Sequence, residues 1–233
     1  MRSEYEVGPE ADWRVNDSPQ IRSYEPRDRK AVREICCDTA DADKPVERIF
    51  PDREAFADLL TSYYTDLVSS TTWVAERDGE VLGYLTGCLD TRRYLRAMAF
   101  RIAPIAFAKA LVRGTLWHAT TIRLLSANLG DWLRGGFRRG APLREYPAHV
   151  HINLQRSARG AGVGERLMEK FLRQAQDAGI PGVYANVSET NEGGRRFFEK
   201  LGFVPLVRES RLRLPEAPDK QTFTIVYGKR LFS

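Results

Sequence analysis

The chain has 233 residues, 42% hydrophobic and 29% charged, with a formal net charge of +5. That balance fits a soluble protein with a sizeable core and excludes a low-complexity or fibrous chain. Its cysteines, Cys36, Cys37 and Cys88, are too few and wrongly spaced for a disulfide framework or a metal site, so no metal is expected.

Residues 1–20 are polar, carry Gly8, Pro9 and Pro19, and read as an N-terminal extension outside the core. They contain no apolar segment of the kind that opens a secreted chain. With reduced cysteines, this sets the expectation of a cytoplasmic protein. IRSY (21–24) reads as a short strand, and Pro26 and Asp28 open a helix with Val32, Ile35 and Cys36 on one side. A second helical stretch surrounds EAFADLLTSYYTDLV. TTWVAERDGEVLGYLTGCLD (71–90) reads as two strands joined at Asp78-Gly79, a hairpin signal.

Residues 92–140 differ from the rest. They hold ten Arg or Lys against one acid, Asp131, a local charge of +9 that leaves −4 elsewhere. The pattern predicts helices, interrupted near Pro104 and Gly114 and closed by Gly135-Gly136. Between Arg92 and Arg139 the longest uncharged run is nine residues, whereas a membrane span needs about 20. Such a stretch suits an anionic substrate, a membrane surface or nucleic acid, or is a plain amphipathic excursion with solvated arginines. Its place before the strand that follows predicts a wall of an acceptor pocket, with Arg113, Arg123 and Arg134 drawing in an anionic amine.

HVHINLQ then reads as a strand, followed by RSARGAGVGERLMEKFL (156–172), in which Gly160, Gly162 and Gly164 alternate ahead of a helix. The helix stops at Gly179, backed by Pro181. GVYANVSE is a strand, TNEGGRRFFEKLG a short helix, and FVPLVRESRLRL and TFTIVYGKRL are two final strands around a loop with Pro215 and Pro218. The order is mixed α/β with hairpins at both ends, not the regular alternation of a doubly wound fold.

A strand ending in a glycine-rich turn that opens a helix aims backbone N–H groups and the helix dipole at one point. That arrangement suits a phosphate or diphosphate. No Lys-Ser/Thr follows Gly164, so a P-loop does not fit. The third glycine comes one residue early for a dinucleotide fingerprint.

Arg159-Gly160-Ala161-Gly162-Val163-Gly164 matches R-x-x-G-x-G, and NEGGRRFFEKLGF (191–203) matches N-x(5)-F-[YF]-x(3)-G-F. The pair resembles the GNAT superfamily of acyl-CoA N-acetyltransferases. The likeness takes in most of residues 21–90 and 145–230, but not the basic insert. YPAHVHINL is also similar to the acetyltransferase-like domain associated with O-GlcNAcase, a group that often reads H-x-D where this chain has His151-Ile152-Asn153.

The resemblance implies one mixed α+β domain over 21–233: a central mixed sheet splayed between two strands, flanked by helices and interrupted by the insertion at about 92–140. It implies acetyl-CoA as cosubstrate, its diphosphate on the N–H groups of Arg159, Gly160, Ala161, Gly162, Val163 and Gly164. It also implies pantetheine pairing near Ile152 and Leu154, where a backbone N–H stabilises developing negative charge on the thioester oxygen. Asn191 matches a residue that contacts the cofactor arm. Phe198 stands at the cofactor-side position where many relatives carry a tyrosine that acts as general acid, and it has no proton to give.

The implied reaction is direct attack of a primary amine on the thioester. The amine must lose a proton, so a base or water relay is needed. His149 and His151 share a strand face; each reads either as a base or as a half-buried residue with satisfied hydrogen bonds. Asn153, on the same face, orients water or substrate. Glu145, Tyr146, Tyr184 and Glu189 are weaker candidates for the base and read rather as rim or surface positions. The acceptor class left open covers a small amine or amino sugar, a peptide and a lysine side chain; oligomeric state is open too. The second functional reading is a domain that binds CoA without turnover and uses the insert as an interaction surface. Binding of nucleic acid is a weaker third.

Overall fold

The structure, a computed structural model, describes residues 18–40, 46–48, 50–124, 126, 141–211 and 222–232. Most of the expected N-terminal extension, the Gly135-Gly136 closure, Arg134 and the Pro215/Pro218 loop lie outside these residues.

Seven strands form one sheet in the order β1-β2-β3-β4-β5-β7-β6. β1 (Gln20–Ser23) runs antiparallel to β2 (Thr72–Arg77), which pairs with β3 (Glu80–Cys88). Asp78 and Gly79 turn that hairpin with φ of 52° and 81°, a primed turn whose twist matches the strands. β3 pairs with β4 (Ala148–Leu154), placing Leu85 opposite Ile152 and Thr86 opposite His151. β4 and β5 (Gly182–Ser188) are parallel; β5 then pairs antiparallel with β7 (Thr222–Arg230), and β7 with the edge strand β6 (Val204–Arg211).

Helices cover both faces of the sheet. α1 (Arg29–Asp38) sets Val32, Ile35 and Cys36 against Tyr24, Val74 and Tyr84, and α2 (Arg53–Ser62) packs beside it. The helix after the glycine turn, α5 (Val163–Asp177), covers the opposite face. Its Val163, Leu167, Met168, Phe171 and Ala175 fall at helical spacing on Leu85, Val150 and Val183. Leu167, Met168 and Phe171 are fully buried, and each contributes about 1.5–3 kcal/mol by leaving water.

Between β3 and β4 the chain makes the expected helical excursion. Asp90 caps α3 (Thr91–Ala97) by accepting from the Arg93 N–H at 3.1 Å. A π-type turn over Met98–Ile102 leads to α4 (Ala103–Val112), with Pro104 in its first turn, where its missing N–H costs nothing. Gly114, at φ 73°, ends the run. α6 spans Glu192–Lys200.

Candidate active site

The site begins where β4 and β5 part. They pair only at Ala148↔Val183 and His149↔Tyr184. Beyond that point β3 stays with β4 as far as Leu154, and β7 stays with β5 as far as Ser188. Each inner strand thus keeps its outer partner and loses the other, which opens a wedge. The Gln155 N–H donates to the Leu82 carbonyl at 2.9 Å. Main-chain groups alternate along a strand, so those of Ile152 and Leu154 face the wedge.

At the open end lies the glycine turn. Gly160 and Gly162 hold φ of 80° and 70°, values that side-chain-bearing residues rarely adopt. Gly164 serves differently: a Cβ there would stand 3.0 Å from the Phe197 ring. The glycines therefore divide between backbone direction and close packing of α5 on α6. The first bond into α5 runs from the Arg166 N–H to the Gly162 carbonyl at 3.1 Å, and no side chain caps the helix. Among the described residues no acceptor meets the N–H groups from Gly160 to Glu165. The Arg159 guanidinium turns back to the Leu154 carbonyl at 2.8 Å, joining the turn to the strand edge.

The side chains of β4 divide by face. Val150, Ile152 and Leu154 pack toward α5. His149, His151 and Asn153 point to the α1/α2 face, opposite Cys88, Thr86 and Tyr84. His149 is buried, its Nε2 lying 2.6 Å from the Tyr64 hydroxyl and its Nδ1 2.7 Å from Thr91 Oγ1. Desolvation, reinforced by the neighbouring His151, lowers its pKa to about 3. It is a neutral structural residue with both nitrogens occupied. His151 opens to the cleft, yet its ring has Tyr64 and His149 at centroid distances of 6.2 and 5.7 Å. Desolvation pulls its pKa to about 4, so at neutral pH its ring is uncharged and one nitrogen lone pair is unprotonated. Asn153 Nδ2 donates to the buried Tyr84 hydroxyl at 3.0 Å, which fixes its amide.

Three aromatic residues near the histidines were not singled out by sequence. A π-type turn over Tyr63–Leu67, where the Val68 N–H reaches the Tyr63 carbonyl at 2.8 Å, buries the consecutive Tyr63 and Tyr64. Tyr94 of α3 stacks on Tyr64 at 5.7 Å and lies 4.7 Å from His149. The helical excursion therefore packs on the buried His149 through Thr91 and Tyr94. A bulky tyrosine pair ahead of a strand with alternating histidines is the one signal that hinted at this.

The arginine reading of that excursion needs correction. Arg113 is bound to Asp52 at 2.9 Å, because burial of that carboxylate demands a partner; it is no acceptor-side cation. Arg134 lies outside the described residues. Asn191 caps α6, its Oδ1 accepting from the Gly194 N–H at 2.9 Å. Phe198 is buried between Phe203 and Tyr227 at centroid distances of 5.2 and 6.4 Å. Phe203 is fully in the core, while Phe197 and Leu201 pack at its edge. Glu145 and Glu189 are surface residues paired with Arg230 and Arg208. Tyr146 is buried against Gly182 and Gly228 rather than at the rim. Tyr184 sits inside the aromatic cluster, 5.5 Å from His149. Among the described residues no group of three metal-ligating side chains forms.

A sheet wedged open between two parallel strands, with a glycine turn at its mouth, is an architecture this chain shares with solved structures. Residues 135–203 match the acetyltransferase (GNAT) family model. YwnH of Bacillus subtilis (strain 168), whose name marks it as a candidate phosphinothricin acetyltransferase, is 32% identical over 79 residues. That match takes in 34% of this chain and 48% of the relative, so the chain spans about half the length of the curated relative it matches. The crystal structure of SsHAT superposes with a TM-score of 0.68 at 26% identity, over 93% of this chain and all of that one. The structure of yncA from Salmonella typhimurium with acetyl-CoA has a TM-score of 0.57 at 15% identity, over 93% of this chain and 95% of that one, and shows the fold. Together these show that residues 135–203 are similar to the acetyltransferase (GNAT) family and that the chain shares its fold with these solved structures.

Proposed function

We propose that this chain is an N-acetyltransferase that moves an acetyl group from acetyl-CoA to a primary amine. The observation that carries this is the conjunction of the strand wedge with unpartnered N–H groups from Gly160 to Glu165. Those groups and the α5 dipole suit the diphosphate. The Ile152 main chain and the Leu154 N–H suit the amide-bearing pantetheine arm, since the Leu154 carbonyl is already taken by Arg159. The Asn191 Nδ2 is left to reach the arm while its Oδ1 caps α6. When bound, acetyl-CoA supplies an activated acyl thioester.

In this reading the protein's own groups do four things. The wedge-facing N–H of Ile152 or Leu154 stabilises negative charge on the acyl oxygen. His151, neutral at working pH, takes the proton that the amine releases. Asn153, held by Tyr84, orients the amine or a water between them. The buried His149–Tyr64–Thr91–Tyr94 cluster holds the strand face rigid beneath them. No tyrosine stands at Phe198, so the leaving thiolate finds no acid there and must be protonated from solvent.

That same absence favours one second reading, a CoA-binding domain without turnover. Calorimetry with CoA and thiol release over a panel of small amines, amino sugars and peptides test both. The enzyme reading expects binding and turnover of at least one amine. Binding without turnover favours the second reading, and no binding overturns both.

A further inference from the structure

α4 carries its charges inward and its apolar side chains outward. Its buried stripe is Ile102, Ala106 and Ala110, set toward α2. Its cations turn the same way: Lys109 reaches Asp58 at 3.0 Å, and Arg113, at its end, pairs with Asp52. What faces solvent is Ile105, Phe107, Leu111 and Val112, the last 89% exposed. A helix at the edge of a globular protein ordinarily shows water its charged side; here the outward side is apolar and the two cations, though partly exposed, are tied back to Asp58 and Asp52. The apolar surface continues at both ends, with Phe100 84% exposed and Trp117 74% exposed. It is a continuous patch of a kind that marks an interaction face.

Charge says what the patch meets. No acid occurs between Asp90 and Asp131. Arg92, Arg93, Arg96, Arg101 and Arg123 are exposed around the apolar face, and none has a carboxylate partner among the described residues. A two-fold pairing of this face with a second copy would set arginines against arginines. Exposed Trp and Phe within a collar of unpaired arginines suit the interface of an anionic bilayer, where rings sit at the headgroup level and guanidinium groups meet phosphates. No helix among the described residues is long and apolar enough to cross a membrane, so contact is peripheral.

We propose that the excursion over residues 91–124 is a docking face for an anionic phospholipid surface. The inner side of α3 meets β4 through Thr91 and Tyr94 on His149, so the face is anchored to the strand that carries His151. The docking face stands apart from acetyl transfer.

The test is sedimentation of the full chain with vesicles of phosphatidylcholine alone, or of phosphatidylcholine mixed with phosphatidylglycerol. Partition onto the phosphatidylglycerol vesicles, weak on phosphatidylcholine and falling with salt, is expected. Replacing Arg92, Arg93 and Arg96 by Gln weakens it roughly a hundredfold. Phe107→Asp with Leu111→Asp abolishes it; the two are 59% and 47% exposed, so the chain stays folded with a small drop in melting temperature, which thermal unfolding checks. Three results overturn the proposal: no partition, equal partition onto both vesicles, or partition that survives the double Asp change. Self-association abolished by Phe107→Asp, without vesicle binding, assigns the face to a second copy and overturns it as well.

Discussion

The glycine turn and the helical excursion both abut β4 but use opposite parts of the chain. At the turn the working groups are main-chain amides, and side chains are removed to expose them: Gly160 and Gly162 for direction, Gly164 for contact with Phe197. In the excursion the backbone is ordinary helix and everything lies in which way side chains point. Lys109 and Arg113 face in, while Phe107 and Val112 face out. Main-chain function writes itself into sequence as glycine spacing. Side-chain orientation does not, because composition is the same whichever way a helix is turned.

That contrast can be broken at the cleft first. Replacing His151 by Gln should lower kcat by about a thousandfold, within the usual range for loss of a general base, and leave CoA affinity unchanged. Because desolvation lowers its pKa to about 4, kcat/KM should show no acid limb near 6.5 and should fall only as pH approaches about 4. A loss of kcat below about tenfold would leave the base elsewhere.

The next largest effect lies under the excursion. Burial alone would raise the Asp58 pKa, but hydrogen bonds from Lys109 and Arg33 outweigh it and hold it below its ordinary value. Asp58→Ala strips a partner from the buried Arg33 and should cost about 3 kcal/mol in urea unfolding. Unchanged stability would mean that α4 is not anchored by its inward cations.

A third effect is acid sensitivity from His149. The unfolded chain binds a proton on this imidazole near 6.5 and the folded chain only near about 3. The stabilisation is therefore whole above 6.5 and drains as pH falls toward the folded value. About 2 kcal/mol should be lost by about pH 5, and His149→Gln should flatten that slope. By contrast, Lys200→Ala removes an exposed pair with Glu165 and should cost less than about 1 kcal/mol.

Much of the fold was legible. The Asp78-Gly79 hairpin, the helix ahead of Gly179 and the turn at Gly114 follow from local chemistry that needs no distant partner. So does the paired motif around Gly160 and Asn191. The His149 cluster was not legible, since its partners Tyr64 and Thr91 lie 85 and 58 residues away. Nor could a charge count separate Arg113, tied to Asp52 across 61 residues, from the unpaired Arg92. Both depend on which elements the sheet brings together.

The most direct test of the central claim is titration of CoA by calorimetry into the native chain and into the double variant Gly160→Val/Gly162→Val. Forcing two β-branched residues toward left-handed backbone should twist the turn's N–H groups out of line. The account predicts measurable CoA binding by the native chain, weakened about a hundredfold in the variant at unchanged overall fold, from a penalty of about 1–2 kcal/mol per residue. Native-chain binding that the variant retains, or no binding by either, would contradict it.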